Sequence, residues 1–135
     1  MSVKNPTNTE FVNKMKQYAV QYKLPNADKI VTNDPMEATY VGINMWAEAV
    51  KKAGSTDVAA VSKAMAGISF KAPSGFSLKM DEKNHHLHKP VMIGEVQPNG
   101  QFSVVWKTPA PVRAQPWSPF IAGNEGKPDT PVKSK

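Results

Sequence analysis

Residues 34–65 read DPMEATYVGINMWAEAVKKAGSTDVAAVSKAM, and this stretch decides the fold because it carries a helix start, a stop and a second start in unbroken order. Asp34 supplies an oxygen for the first free backbone N–H groups, and Pro35 presets φ at the first helical position. Glu37, three residues after Asp34, completes a capping box. Gly54 can take the left-handed conformation that ends a helix. The pattern predicts a long helix that begins at Asp34.

Apolar residues inside this helix recur at intervals of three and four, which places them on one face of a 3.6-residue repeat. That face consists of Met36, Tyr40, Ile43, Ala47 and Val50. Further apolar residues widen the stripe, namely Val41, Met45, Trp46 and Ala49. We therefore expect a central helix that turns the first face toward a core and is covered on two sides.

Two more helices are predicted from the same kinds of signal. Ser55 or Thr56 can cap a second helix in the quoted stretch, which makes the stretch a helical hairpin. Near the N-terminus, Thr7 and Glu10 form a capping box, and apolar residues follow at helical spacing. This pattern predicts a first helix over residues 8–22.

The second half of the chain has the alternating pattern of strands. Apolar and polar residues alternate in Phe76–Met80, and strand-forming residues fill Val91–Gln97 and Gln101–Lys107. Pro98–Gly100 form a tight turn between the last two segments. The sequence thus predicts an α/β fold of three helices and an antiparallel three-stranded meander.

Proline is concentrated toward the C-terminus, where it prevents regular sheet hydrogen bonding. The final stretch, GNEGKPDTPVKSK, has the composition of a disordered segment. We therefore predict a folded portion over residues 1–122 and a disordered tail over residues 123–135.

Composition narrows the classes of function. The 135 residues carry a formal net charge of +6 and no cysteine, which excludes disulfides and thiol catalysis. The lysines are scattered and Arg113 is the only arginine, whereas readout of bases and phosphates favours arginine, so we expect no nucleic-acid partner. The first ten residues lack the basic and apolar regions of a signal peptide.

The histidines at His85, His86 and His88 are the strongest candidates for metal chemistry. In an extended segment His86 and His88 share a face while His85 points away, and only Asp81 and Glu82 lie close enough in sequence to complete a ligand set. A polar segment with local hydrogen bonds explains the cluster better. No hydrolase, metalloprotease or nucleotide-binding motif occurs. We expect no metal, no cofactor and no enzymatic activity.

Several motifs occur together and in order: NDPMEA at residues 33–38, KAGSTDVAAV at 52–61 and NHHLHKPVMIGEVQPNGQFSVVW at 84–106. They resemble the C-terminal part of the substrate-binding proteins of urea and short-chain amide ABC transporters, which are type I periplasmic binding proteins. Amide-sensing regulators and branched-chain amino acid binding proteins are more distant members of the same family. The resemblance extends over residues 5–120 and implies parts of both lobes of a two-lobed α/β protein.

The resemblance also implies a function and a site. The full-length relative would bind urea or a small amide in a cleft between its lobes and deliver it in the periplasm to a membrane permease. The alternative functions are an amide-sensing regulatory protein of the same fold and a branched-chain amino acid binding protein. Helix N-termini border such clefts and present unpaired donors, so the candidate ligand-binding residues are Asp34, Met36, Glu37 and Tyr40. The alternatives stay open: helix capping accounts for both carboxylates, and Tyr40 fits a core face.

The family's first-lobe loops, which supply much of the ligand contact, would precede Met1. We therefore interpret the sequence as a portion of a larger fold whose N-terminal part is a missing partner. The chain by itself is expected to lack urea or amide binding and to be oligomeric, aggregation-prone or partly folded, because the central helix is apolar on two sides.

Overall fold

A computed structural model describes residues 2–129 and contains the elements of a mixed α/β protein. The three helices are α1 (Pro6–Gln21), α2 (Asp34–Ala53) and α3 (Val58–Met65). The five strands are β1 (Ser69–Lys71), β2 (Ser77–Met80), β3 (Leu87–His88), β4 (Met92–Val96) and β5 (Phe102–Lys107). The prediction of three helices and antiparallel strands is confirmed. Within residues 2–129, no helix combines the length and apolarity needed to cross a membrane.

Each of the two long helices is capped by an asparagine. Asn5 Oδ1 accepts from the backbone N–H of Asn8 at 2.9 Å, and Asn33 Oδ1 accepts from that of Met36 at 3.0 Å. The prediction that Asp34 caps α2 is wrong by one residue. Asn33 and Asp34 are equally good capping residues, and the structure places the proline at the second helical position instead of the first.

The connection between α2 and α3 follows the predicted helical hairpin with one change. Gly54 has a φ of 62°, the left-handed conformation expected after α2. The cap of α3 is Asp57, whose side chain accepts from the N–H of Ala60 at 2.9 Å. Ser55, one of two predicted caps, instead accepts from the N–H of Asp57.

The strands form two sheets where one was predicted. β1, β2 and β3 make a three-stranded antiparallel meander, and β4 and β5 make a separate antiparallel hairpin with a register shift between Ile93 and Gly94. Grouping β2 with the hairpin was therefore wrong. Pro90, which has no N–H to donate, lies between β3 and β4, and the short β1 takes the place beside β2.

The core lies on a different side of α2 from the predicted one. Its fully buried members are Val41, Met45, Ala72 and Leu78, which continue into a second cluster of Ala49, Val61 and Ala64. The predicted face is partly exposed, with Ile43 61% accessible against 1% for Met45. Both stripes are apolar, so periodicity alone could not show which one meets β1, β2 and α3.

Candidate functional site

The first turns of α2 hold all four predicted site residues, but the structure sends their side chains to different places. Asp34 lines a cleft beside the β4–β5 hairpin, whereas Met36 and Tyr40 line a groove between α1 and α2. Glu37 is buried, only 1% exposed, and lines neither space. The four residues therefore do not form a single site in this structure.

Glu37 connects α2 to the turn between β1 and β2. Its Oε1 accepts from the backbone N–H of Ser74 at 2.6 Å, a charge-assisted hydrogen bond in a buried setting. Asn5 Nδ2 donates to Pro73 O at 3.2 Å in the same turn, so that turn also contacts the start of α1. Ser74 Oγ is buried and has no hydrogen-bond partner within residues 2–129. Glu37 thus joins α2 to this turn, and Asn5 joins the turn to the start of α1.

The hairpin cleft, as we call the first space, has a volume of about 470 Å³. The segment before α2 lines one side and the β4–β5 hairpin the other. Its polar side chains belong to Ser2, Thr32, Asn33, Asp34 and Gln101, and its other lining residues are Val3, Val31, Met92, Gly94, Gly100, Phe102 and Val104. Apolar walls with a few polar groups are typical of sites for small organic ligands.

Two polar side chains of the hairpin cleft retain hydrogen-bonding capacity. Asp34 pairs through Oδ1 with the ammonium of Lys89, and its Oδ2 has no partner within the described range. Asn33 uses Oδ1 to cap α2, and its Nδ2 likewise has no partner there. The cleft therefore presents an acceptor and a donor side by side in sequence at the N-terminus of α2.

The helix groove, the second space, has a volume of about 780 Å³ and is strongly apolar. Its lining residues are Thr7, Glu10, Phe11, Lys14, Met15, Tyr18, Met36, Thr39, Tyr40, Ile43, Lys71 and Pro73. The rings of Phe11 and Tyr40 lie 5.1 Å apart, and Tyr40 meets Phe70 edge-on at 6.1 Å. These distances are typical of favourable aromatic pairs, which hold Tyr40 in place.

A third polar feature, the Asp81 clamp, holds the C-terminal segment against the β2–β3 turn. Asp81 is buried and accepts from His88 Nε2 at 2.9 Å and from the backbone N–H groups of Lys83 and Asn84. These bonds, led by the one from His88 and supported by the nearby Arg113 guanidinium, hold the pKa of the Asp81 carboxyl well below its usual range.

Arg113 extends the clamp to Asp129, which also accepts from Asn84 Nδ2 at 3.0 Å. The Lys127 ammonium lies 4.4 Å from the centre of the Trp117 ring. These contacts involve part of the predicted disordered tail, whose residues 130–135 lie outside the described range. The division at residue 122 stays a prediction.

The histidine cluster is divided by the clamp. His88 contacts Asp81, while His85 and His86 are exposed. Within residues 2–129, no three or more histidine and carboxylate side chains are arranged to hold a metal ion. Local hydrogen bonding, the simpler interpretation of the sequence, accounts for His88.

Several residues of these sites carry no signal in the sequence. Lys89 meets Asp34 and Ser74 meets Glu37 across separations of 55 and 37 residues. Asn33 could have been recognised as a candidate site residue, because it lies directly before the predicted cap in a segment expected to border a cleft. Pairings across the fold depend on how the elements pack, which no local pattern specifies.

Comparison with known proteins agrees with this architecture. The model of the family described as "Periplasmic binding protein domain" matches residues 1–122. A protein of Geobacillus stearothermophilus named limonene hydroxylase is 35% identical over 111 residues, which is 82% of this chain and 19% of that protein. The chain thus spans about a fifth of the length of this curated relative. Since the family model covers most of the sequence, the chain belongs to the periplasmic binding protein domain family.

Proposed function

We propose that this chain is the C-terminal portion of the solute-binding component of an ABC transporter, and that the solute is urea or a short-chain amide. Family membership over residues 1–122 supports a solute-binding role. The partners under this proposal are a small polar ligand, the preceding portion of the same fold and a membrane permease. The full-length protein would work in the periplasm.

The observation that carries the choice of solute is the pair of unused polar groups in the hairpin cleft. Asp34 Oδ2 can only accept a hydrogen bond, and Asn33 Nδ2 can donate one. Urea and primary amides present N–H donors and a carbonyl acceptor on one small planar group, which complements this pair. The apolar cleft residues Met92 and Phe102 would contact the short alkyl chain of an amide.

We further propose that the chain binds without catalysing a reaction. The buried carboxylates Glu37 and Asp81 both accept hydrogen bonds from fixed N–H donors, which favours structural roles over acid–base chemistry. The enzyme name of the Geobacillus relative belongs to a protein of which this chain matches 19%.

The test is calorimetry on a full-length family member whose C-terminal portion is replaced by residues 1–122 of this chain. Urea, acetamide and leucine are titrated in turn. We expect acetamide or urea to bind more tightly than leucine. Preference for leucine would assign the chain to the branched-chain amino acid binders and contradict the proposal.

Asn33→Ser is the sharpest variant for the same experiment, because serine keeps a capping oxygen but removes the amide donor. We expect it to weaken amide binding by about threefold to tenfold, the effect of one hydrogen bond. Asn44→Ser is the matched control, since Asn44 bonds within α2 to Tyr40 O and lines neither space. Tyr40→Ala tests the groove: a loss of affinity only in this variant would move the solute site to the helix groove.

A further inference from the structure

The helix groove differs from the hairpin cleft in both size and chemistry. The two spaces share no lining residue and lie on different sides of the first turns of α2. The groove is the larger, and the side chains of Phe11, Tyr40 and Ile43 supply apolar surface from two helices. A solute such as urea gains little there, because its polar edges would lose hydrogen bonds to water.

The charged residues of the groove are mainly cationic. Lys14 lines it and is paired with Glu10 at 2.7 Å. Lys71 lines it as well, and its ammonium has no hydrogen-bond or ion-pair partner among the side chains and backbone of residues 2–129. An exposed lysine is ordinarily solvated, but Lys71 borders an aromatic surface. A ligand with an apolar portion and an anionic group could therefore contact the aromatic surface and the Lys71 ammonium together.

The walls of the groove suit a flat or flexible apolar body. Phe11 and Tyr40 are tilted by 58° to each other, which leaves ring surface available for stacking. Met15 and Met36 are unbranched and polarisable, and methionine adapts its shape to different ligands. The volume of about 780 Å³ is within the range usual for small-molecule sites.

We propose that the helix groove binds an apolar organic carboxylate, with the aromatic or aliphatic body between α1 and α2 and the carboxylate at Lys71. This site is separate from the proposed solute site and takes a different class of ligand. Charge complementarity favours a carboxylate over a neutral hydrocarbon, since Lys71 would otherwise border the bound body without a counter-ion.

The experiment is methyl NMR on the 135-residue chain labelled at the methionine methyl groups. Met15 and Met36 report on the groove, Met92 reports on the hairpin cleft, and the buried Met45 reports on folding. The probes are 4-phenylbutyrate and its neutral amide, 4-phenylbutanamide, which share one body. The two probes are compared first on the unmodified chain, so this comparison does not depend on the folding of a variant.

We expect 4-phenylbutyrate to shift the signals of Met15 and Met36 and to bind about fivefold more tightly than the amide, as for one exposed ion pair. Lys71→Gln should remove this difference. Lys63→Gln, an exposed lysine on α3 outside the groove, should retain it. A shift of the Met92 signal with 4-phenylbutanamide would concern only the solute proposal.

Three results would overturn the groove proposal. The first is equal affinity for acid and amide, and the second is the absence of shifts at Met15 and Met36. The third is a change of those two signals with protein concentration in the absence of a probe, because a second copy of the chain would then occupy the groove.

Discussion

The two apolar sides of α2 have very different surroundings. On one side Val41, Met45 and Ala49 are buried at 1% exposure or less against the three-stranded sheet and α3. On the other side Tyr40, Ile43 and Trp46 are 43%, 61% and 50% exposed. Because the side chains are of similar kinds, the difference shows that residues 2–129 bury only one side of the central helix.

The β4–β5 hairpin likewise has apolar side chains that remain exposed. Its sequence has the alternating pattern of a half-buried sheet, yet Ile93, Val105 and Trp106 are each at least 50% exposed. A two-stranded hairpin alone is marginally stable in water. The described residues thus combine one packed unit, formed by α2, α3 and β1–β3, with exposed apolar surfaces on α2 and on the hairpin.

The largest expected effect separates the two sides of α2. Met45→Ala should lower the free energy of unfolding by about 2–5 kcal/mol, since a buried side chain is lost and a cavity remains. Ile43→Ala, on the open side of the same helix, should cost less than about 1 kcal/mol. Urea denaturation followed by circular dichroism measures both, and equal costs would remove the distinction.

The second prediction concerns the contact between α2 and the β1–β2 turn within the covered unit. Glu37→Ala leaves the buried N–H of Ser74 without its acceptor and should cost about 1–3 kcal/mol. Glu48→Ala is the matched control, because Glu48 is an exposed residue of α2 paired with Lys51. Its cost should stay within about 0.5 kcal/mol. A similar loss in both variants would show that Glu37 does not join the elements.

The Asp81 clamp predicts a pH dependence of the contact between the C-terminal segment and the β2–β3 turn. The folded state lowers the pKa of Asp81. The stabilisation that the ionised carboxylate gives to the folded state is therefore fully present above the ordinary carboxyl value of 3.8. That contribution declines as the pH falls below 3.8 and is lost once the pH falls through the lower folded-state pKa. The Trp46→Phe, Trp106→Phe double variant retains Trp117 as its single tryptophan. The fluorescence of Trp117 then reports the release of the C-terminal segment from the β2–β3 turn.

Asp81→Asn is the variant that tests this pH dependence. We expect the C-terminal segment of Asp81→Asn to be released already at neutral pH. The fluorescence of Trp117 should then change little on acidification. Asp57→Asn is the control, because asparagine also caps helices well. An acid transition that is unchanged in Asp81→Asn would assign the pH effect to other carboxylates.

The smallest effect on stability is expected in the hairpin. Ile93→Thr and Val105→Thr change exposed strand positions and should alter the free energy of unfolding by no more than about 0.5 kcal/mol. Both should reduce self-association, because they make an exposed apolar surface more polar. Sedimentation velocity over a range of concentrations measures this, and a large loss of stability would show that the hairpin is covered within the chain.

Local signals in the sequence located the helices well and the sheet partly. The capping asparagine, the proline and Gly54 are close in sequence to the ends of α2, so its bounds differ from the predicted ones by at most one residue. β1 and β3 were missed because strands of three and two residues are too short to show alternation. Their existence depends on pairing with β2.

The candidate site was harder to predict, for a physical reason. Asp34, Met36, Glu37 and Tyr40 share the first turns of one helix, but a helix turns by 100° per residue, so neighbours in sequence face different surroundings. Which side faces a cleft depends on the placement of the hairpin and α1. The sequence could indicate the end of the helix but not the direction of each side chain.

Hydrogen–deuterium exchange of the 135-residue chain, measured at increasing protein concentrations, tests the central claim most directly. We predict slow exchange in α2, α3 and β1–β2 at every concentration. In β4–β5 we predict fast exchange in dilute solution and slower exchange as the chain self-associates. A monomer whose β4–β5 amides exchange as slowly as those of Met45 and Leu78 would contradict the account, because the chain would then be self-sufficient.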